Sequence, residues 1–314
     1  MACDGVDPTK KGGTDKWCPR IEQMLAGFTK EDPPTEKKLP VAVDIPELLV
    51  WTARLTGAQE LHRAIGDWAL SAFYYLLRIG EYTVKGRRNS SKQTVQFKME
   101  DVTFFKKDQR GRLRQLPRTA ADKAILSADS ATLKLDNQKN GWKNVCVNHE
   151  HNGDEIYSPV RALGRRFLHI RKNCGGKVKP KMRLSAYWAD GKRKDLTDED
   201  IRAGLKWAAA ELNYPVRRGI PVERVDTHSL RGGGANALHL AGYSDRQIQK
   251  MGRWRGETFK EYISEHLSVF SEGMSRAMGR HFQFVNIAGG VNSDLVDVTL
   301  SVMGREYDEP ATAA

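Results

Sequence analysis

The groups best able to do chemistry in this 314-residue chain stand in three short segments. His228-Ser-Leu-Arg231-Gly-Gly-Gly-Ala235 sets a histidine and an arginine three positions apart, on one face of a helix. The N-terminal N–H groups of such a helix carry partial positive charge toward an anion. Three glycines in succession cost a helix start about 1 kcal/mol each relative to alanine, so close approach to a backbone or a phosphate is the reason to hold them there. The plain alternative is a glycine-rich turn with a core histidine and a surface arginine. Leu76-Leu-Arg78-Ile-Gly-Glu81 ends an apolar segment on an arginine, with a carboxylate three residues on that could simply pair with it. Gly252-Arg253-Trp254 is followed eight positions after Trp254 by Tyr262, inside Phe259-Lys-Glu-Tyr-Ile263. A Trp and a Tyr on helical sequence are more often core residues than reactive ones.

These segments need elements to position them. Apolar residues recur at helical spacing from Ile45 to Tyr82 (Leu48, Trp51, Leu55, then Ile65, Trp68, Ala72, Phe73, Leu76), which predicts two helices packed together. Met99–Phe105 reads as a strand. Thr132–Leu135 and Lys143–Val147 alternate as strands do, and the Asn140-Gly141 pair between them signals a hairpin with Lys139 beside its turn. Ser158–Lys172 and Thr197–Leu212 read as helices, the first with Pro159 at its first position and the second capped by Thr197. Ser229–Ala241, Ser244–Gly252 and Glu257–Met278 complete a helical C-terminal half, with glycines where helices should end. The expected fold is a mainly helical α+β domain with a small antiparallel sheet from residues 98–147. Residues 1–44 read as a flexible lead-in or the remnant of a small module, 45–282 as the catalytic domain and 283–314 as a tail.

Lys and Arg outnumber Asp and Glu by 51 to 39, giving a net charge of +12 that favours a polyanionic partner, nucleic acid or an anionic surface. No apolar run of about 18 residues and no basic-then-apolar leader is present, so an intracellular protein away from the membrane is expected. Ser158–Arg183 is basic and free of acids, and Arg161, Arg165, Arg166, Arg171 and Lys172 within it are candidates for phosphate contact, against the usual meaning of a charge run as a solvated face. The four cysteines are too few and scattered for a disulfide framework. Cys146, His149, His151 and Cys174 include a Cys-x-x-His pair, but match no strong zinc pattern, so no metal site is assigned.

Taken together and in this order, Arg78, His228, Arg231, Trp254 and Tyr262 resemble the catalytic domain of the tyrosine recombinase/phage integrase family. The Trp254-to-Tyr262 spacing looks most like the recombinases of eukaryotic mobile elements, DIRS-type and Crypton-like. The resemblance covers roughly residues 45 to 280. It implies the tyrosine recombinase catalytic-domain fold, with Arg78 and Arg231 clamping a scissile phosphate and Glu81 orienting the first of them. It further implies that His228 contacts the same phosphate and assists proton transfer, that Trp254 donates a hydrogen bond, and that Tyr262 is the nucleophile. Lys139 matches the lysine that protonates the leaving 5′ oxygen, with Lys134 and Lys143 as competitors for that role.

Such a set has a physical logic. Phenolate attack on a phosphodiester builds charge on the non-bridging oxygens, and guanidinium forks stabilise it. A phenol with a pKa near 10 must lose its proton and the leaving alkoxide must gain one. Two transesterifications through a 3′-phosphotyrosine conserve the bond energy, so the resemblance implies no cofactor. It also implies double-stranded DNA as partner, a homo-oligomer (tetramer) on that DNA, and residence with the DNA, in the nucleus if the source is eukaryotic. Tyr214 and Tyr243 are the nearby alternative tyrosines, and both sit at chain turns. The competing readings are a domesticated DNA-binding protein that no longer recombines and, less well matched, a type IB topoisomerase.

Overall fold

The computed structural model describes residues 16–24, 38–55, 57–84, 94–136, 144–254, 256 and 260. Its organising element is a helix with no polar face over most of its length. Helix α1 spans Asp44–Thr52, and α2 spans Glu60–Tyr74, buried without a break from Ala64 to Phe73. A helix apolar on all sides must be enclosed by neighbours, and α2 packs against α1 and three further helices: α5 (Pro159–Asn173), α6 (Asp198–Glu211) and α8 (Thr227–Leu240). Trp68 on α2 is fully buried, stacked on Tyr82 at 5.4 Å and Phe97 at 6.2 Å, and its Nε1–H donates to the Leu184 carbonyl at 3.2 Å. Shorter helices are α3 (Ile79–Tyr82), α4 (Asp122–Leu126), α7 (Tyr214–Arg218) and α9 (Asp245–Gly252), and residues 19–24 are helical as well.

Strands β1 (Val102–Lys107), β2 (Leu113–Gln115), β3 (Ser130–Leu135) and β4 (Val145–Glu150) form an antiparallel sheet in the order β2-β1-β3-β4. The α+β, mainly helical reading is what the structure shows. The β3–β4 register pairs Leu135 with Val145 and Lys134 with Cys146, so the two strands expected on either side of the hairpin are adjacent. Lys139 and Lys143 lie outside the described residues, as does the helix expected over Glu257–Met278. Met99–Asp101 is a 3-10 turn rather than strand, with strand beginning at Val102. A two-stranded hairpin, β5 (Ala186–Ala189) with β6 (Lys192–Asp195), was not anticipated, although Asp190-Gly191 between them, both at positive φ, is the dipeptide that such a turn favours. Thr197 caps α6 as expected, its hydroxyl accepting from the Asp200 N–H at 3.1 Å. Among the described residues no helix is long and apolar enough to cross a membrane.

Two of the three glycines of α8 have a backbone reason. A Cβ on Gly233 would sit 1.9 Å from the Val41 carbonyl oxygen, and one on Gly234 would sit 2.2 Å from the Phe73 carbonyl oxygen. Their absence of side chains lets α8 lie directly on the C-terminal half of α2, which brings Arg231 to the end of that helix. The obstructing atoms are main chain and cannot rotate away. Gly234→Ala is therefore expected to cost about 2–3 kcal/mol or more. Gly164→Ala, whose Cβ would meet only ordinary contacts at 3.5 Å, should be neutral or slightly stabilising. Urea denaturation of the two variants checks both.

Candidate active site

Where α2 ends, the chain makes a tight turn through Tyr75 and Leu76, and Leu76 sits at φ 48°, a left-handed conformation unusual for a leucine. Two arginines from distant parts of the chain hold it. Arg231 on α8 donates one Nη to the Leu76 carbonyl and the other to the Gly252 carbonyl. Arg253 donates Nη1 to the Tyr75 carbonyl at 3.2 Å and Nη2 to the Leu76 carbonyl at 3.1 Å. Carbonyls at a helix C-terminus have no intrahelical donor and carry partial negative charge, so guanidinium groups are their natural caps. Tyr75 is buried and its hydroxyl donates to the Ala131 carbonyl at 2.8 Å, which ties the same turn to β3.

The turn leads into Arg78, which is the N-cap of α3. Its backbone N–H donates to Glu81 Oε2 at 2.9 Å, and its Nη1 lies 3.5 Å from Glu81 Oε1. Glu81 is 1% exposed and receives a second cation, Arg253 Nη2, at 3.0 Å. Burial lowers the affinity of the Arg253 guanidinium for its proton, and Glu81 works against that effect. The pairing of Arg78 with Glu81 is thus present, as part of a larger arrangement. Arg78 retains 21% side-chain exposure, more than buried Arg231 and Arg253.

Trp254 is buried beside them. Arg253 adopts a left-handed conformation at the end of α9, and the indole folds back over Gly252, where a Cβ would fall 1.6 Å from the ring. The Arg231 guanidinium stands 4.2 Å from the indole centroid, a cation–π contact that fixes its plane. His228 lies one turn before Arg231 on α8, exposed, in the first turn of that helix. The structure therefore brings together Arg78, Glu81, Arg231 and Trp254, with His228 on the adjoining helical turn. Tyr262 lies outside the described residues. Of the other tyrosines, Tyr214 is buried with its hydroxyl donating to Asp44, and Tyr243 is exposed after Gly242. Lys134 is engaged by Asp136 at 3.1 Å.

The arginines of α5, the candidates for phosphate contact, have partners within the fold. Arg161 donates to Glu155 at 2.9 Å and to the Ala128 carbonyl at 2.8 Å, and Arg166 donates to the Ala186 and Leu184 carbonyls. Arg171 donates to the Arg118 and Ala120 carbonyls and pairs with Asp122. All three are buried, and their guanidinium groups anchor α5 inside the fold. Arg165 pairs with Asp67 at 2.7 Å, and Lys172 is exposed.

Cys146 is exposed, whereas His149 Nε2–H donates to the Tyr74 carbonyl at 2.6 Å and His151 bonds Ser158 Oγ. Burial pushes His149 down to about 4. Among the described residues no three His, Cys, Asp or Glu side chains are grouped to hold a metal.

Sequence reasoning missed Arg253. The signal available was an arginine wedged between a helix-ending glycine and a tryptophan, but its carboxylate partner is 172 positions away. No family model matches the chain, and no curated protein does. Among solved structures it is similar to the Tn1549 transposon integrase. In complex with transposon right end DNA, that integrase is 13% identical with a TM-score of 0.40, over 79% of this chain and 69% of the other. In complex with circular intermediate DNA it is 13% identical with a TM-score of 0.40, over 82% and 75%.

Removing one partner of a buried ion pair leaves an uncompensated charge, so Glu81→Ala is expected to destabilise the protein by about 3–5 kcal/mol. The double variant Glu81→Ala/Arg253→Met removes both charges and should recover part of that loss. Equal stability of the single and double variants in guanidinium denaturation would show that Arg253 does not depend on Glu81.

Proposed function

We propose that the chain is a site-specific DNA recombinase of the tyrosine type, which cleaves and rejoins strands through a 3′-phosphotyrosine at Tyr262. The observation that carries this reading is convergence. Residues 76–81, 228–231 and 252–254 are far apart in sequence, yet Arg78, Arg231 and Trp254 meet around one turn, with His228 next to them. A constellation of guanidinium, imidazole and indole groups suits the pentavalent phosphate of a transesterification. In this reading Arg78 and Arg231 hold the scissile phosphate and Glu81 orients Arg78. His228 assists proton transfer, Trp254 positions Arg231 and donates a hydrogen bond, and Lys139 protonates the leaving 5′ oxygen. Duplex DNA is the partner, engaged as a homotetramer, inside the cell with the DNA and in the nucleus if the host is eukaryotic. The DIRS-type or Crypton-like assignment belongs to the same proposal and rests on the Trp254-to-Tyr262 spacing. So does the division into a lead-in at 1–44, a catalytic domain at 45–282 and a tail.

One observation favours a second reading, a DNA-binding protein that no longer cleaves. Arg231 is 2% exposed and its two Nη groups each donate to a main-chain carbonyl, a role in holding the fold that needs no cleavage chemistry.

A nicked suicide substrate carrying the boundary DNA of the encoding element separates the two. Wild-type protein should be trapped as a covalent adduct at the DNA 3′ end, with peptide mapping placing the link in Phe259–Ile263. Tyr262→Phe should bind DNA and form no adduct. An adduct that persists in Tyr262→Phe, or maps to Tyr243, contradicts the assignment, and its absence with every cognate substrate supports the second reading. Arg231→Lys should retain less than about a tenth of the cleavage rate, a loss of ~1.4 kcal/mol or more.

For Lys139, a 5′-bridging sulfur substrate, whose leaving group needs little protonation, should rescue Lys139→Ala. Rescue of Lys134→Ala or Lys143→Ala instead would move the general acid to that lysine.

A further inference from the structure

A cavity of about 530 Å³ opens between α1, α2, α5 and β5, near the opposite end of α2 from the turn at Leu76. Asp67, on its wall, is eight residues before Tyr75, roughly 12 Å along the helix axis. The volume suits a small organic ligand and exceeds what one inorganic ion needs.

Its charge is unbalanced. Arg54, Arg63, Arg165, Arg166 and Lys172 line it against only two carboxylates, Glu60 and Asp67. Both acids already have cations: Arg63 meets Glu60 at 2.7 Å and Arg165 meets Asp67 at 2.7 Å. Arg166 is 1% exposed, and its partners are the Ala186 and Leu184 carbonyls; among the described residues no carboxylate lies within ion-pair distance of it. Asp67 and Glu60, each already paired with another arginine, act on it only at longer range, and an anion in the cavity would add to that compensation for its burial.

A second observation points the same way. Arg165 Nη2, Arg166 Nε and His169 Nε2 are buried polar atoms of cavity-lining side chains with no hydrogen-bond partner among the described residues. Buried polar groups are nearly always paired, and three orphans on side chains around one cavity mark it as a place where a further hydrogen-bond partner would be favoured. His169 Nδ1 faces Glu60 Oε2 at 3.2 Å, and burial with the nearby Arg166 charge pushes this histidine down to about 4, so it is neutral at pH 7. Half-buried Trp188, with Val50 and Ala53, gives the rest of the cavity an apolar wall.

From these features we infer that the cavity is a binding site for a small phosphate ester, with the phosphoryl group among Arg54, Arg165, Arg166 and Lys172 and the organic group against Trp188. A free nucleotide and the 5′-phosphorylated end of a nucleic acid strand share this chemistry. The site does not depend on the strand-cleavage reading, and the two fail separately, one in a binding measurement and the other in adduct formation.

Titration calorimetry on the full chain tests it with deoxyadenosine monophosphate, deoxyadenosine and a 5′-phosphorylated decanucleotide. The monophosphate should bind saturably and deoxyadenosine at least about tenfold more weakly, because charge-assisted hydrogen bonds supply most of the affinity. Lys172→Glu and Arg54→Glu alter exposed side chains, should leave the circular dichroism unchanged, and should each weaken the monophosphate about tenfold or more. Competition by the phosphorylated decanucleotide, and not by its unphosphorylated form, would identify a strand end as the source. Binding of the monophosphate without such competition would identify a free ester. No saturable binding up to about 10 mM, or affinity unchanged in both charge-reversal variants, would overturn the inference.

Discussion

The turn at Tyr75–Leu76 is the constraint on which the rest of the site depends. A left-handed leucine is not a conformation the chain adopts unaided, since it costs on the order of 1 kcal/mol or more. It persists because two guanidinium groups, Arg231 and Arg253, converge on the Leu76 carbonyl, and because Tyr75 is pinned to β3. Both arginines are buried, where hydrogen bonds to carbonyl groups are strong and any lost partner is expensive. The turn in turn sets where Arg78 starts α3, and Glu81 closes the circuit by bonding the Arg78 main chain and the Arg253 side chain together.

This arrangement makes the site a property of four segments at once. Glycines 233 and 234 let α8 touch α2, Gly252 gives room for the indole of Trp254, and that indole holds the plane of Arg231. A change at any of these positions moves the others. The proposed chemistry asks for this kind of rigidity, because preorganised donors stabilise developing charge without reorganising during the reaction. In that chemistry partly exposed Arg78 and exposed His228 meet an incoming strand first.

What was legible in the sequence is what local physics determines. Helical periodicity around Trp68, the Thr197 cap, the strands flanking Asn140-Gly141 and the glycine run of α8 each encode their structure within a few residues. The Asp190-Gly191 hairpin was equally local and was overlooked because its strands are short and one of them is charged and exposed. Non-local pairing was not legible. Ser158–Arg183 holds no acid, which suggested a face for phosphate, but its arginines find Asp67 from 98 positions away, Asp122 from 49 away and several carbonyls. Arg253 shows the same effect, its role being set by Glu81 at the other end of the chain. An acid-free stretch of sequence says nothing about the acids that folding brings to it.

In the proposed function this turn, with its arginines, is where a DNA phosphate is held. A structure of the protein bound to an uncleaved duplex of the element boundary measures that directly. One backbone phosphate is expected at about 3 Å from the guanidinium groups of both Arg78 and Arg231, with His228 on the same phosphate. DNA bound elsewhere, with no phosphate within reach of Arg78 and Arg231, would contradict it.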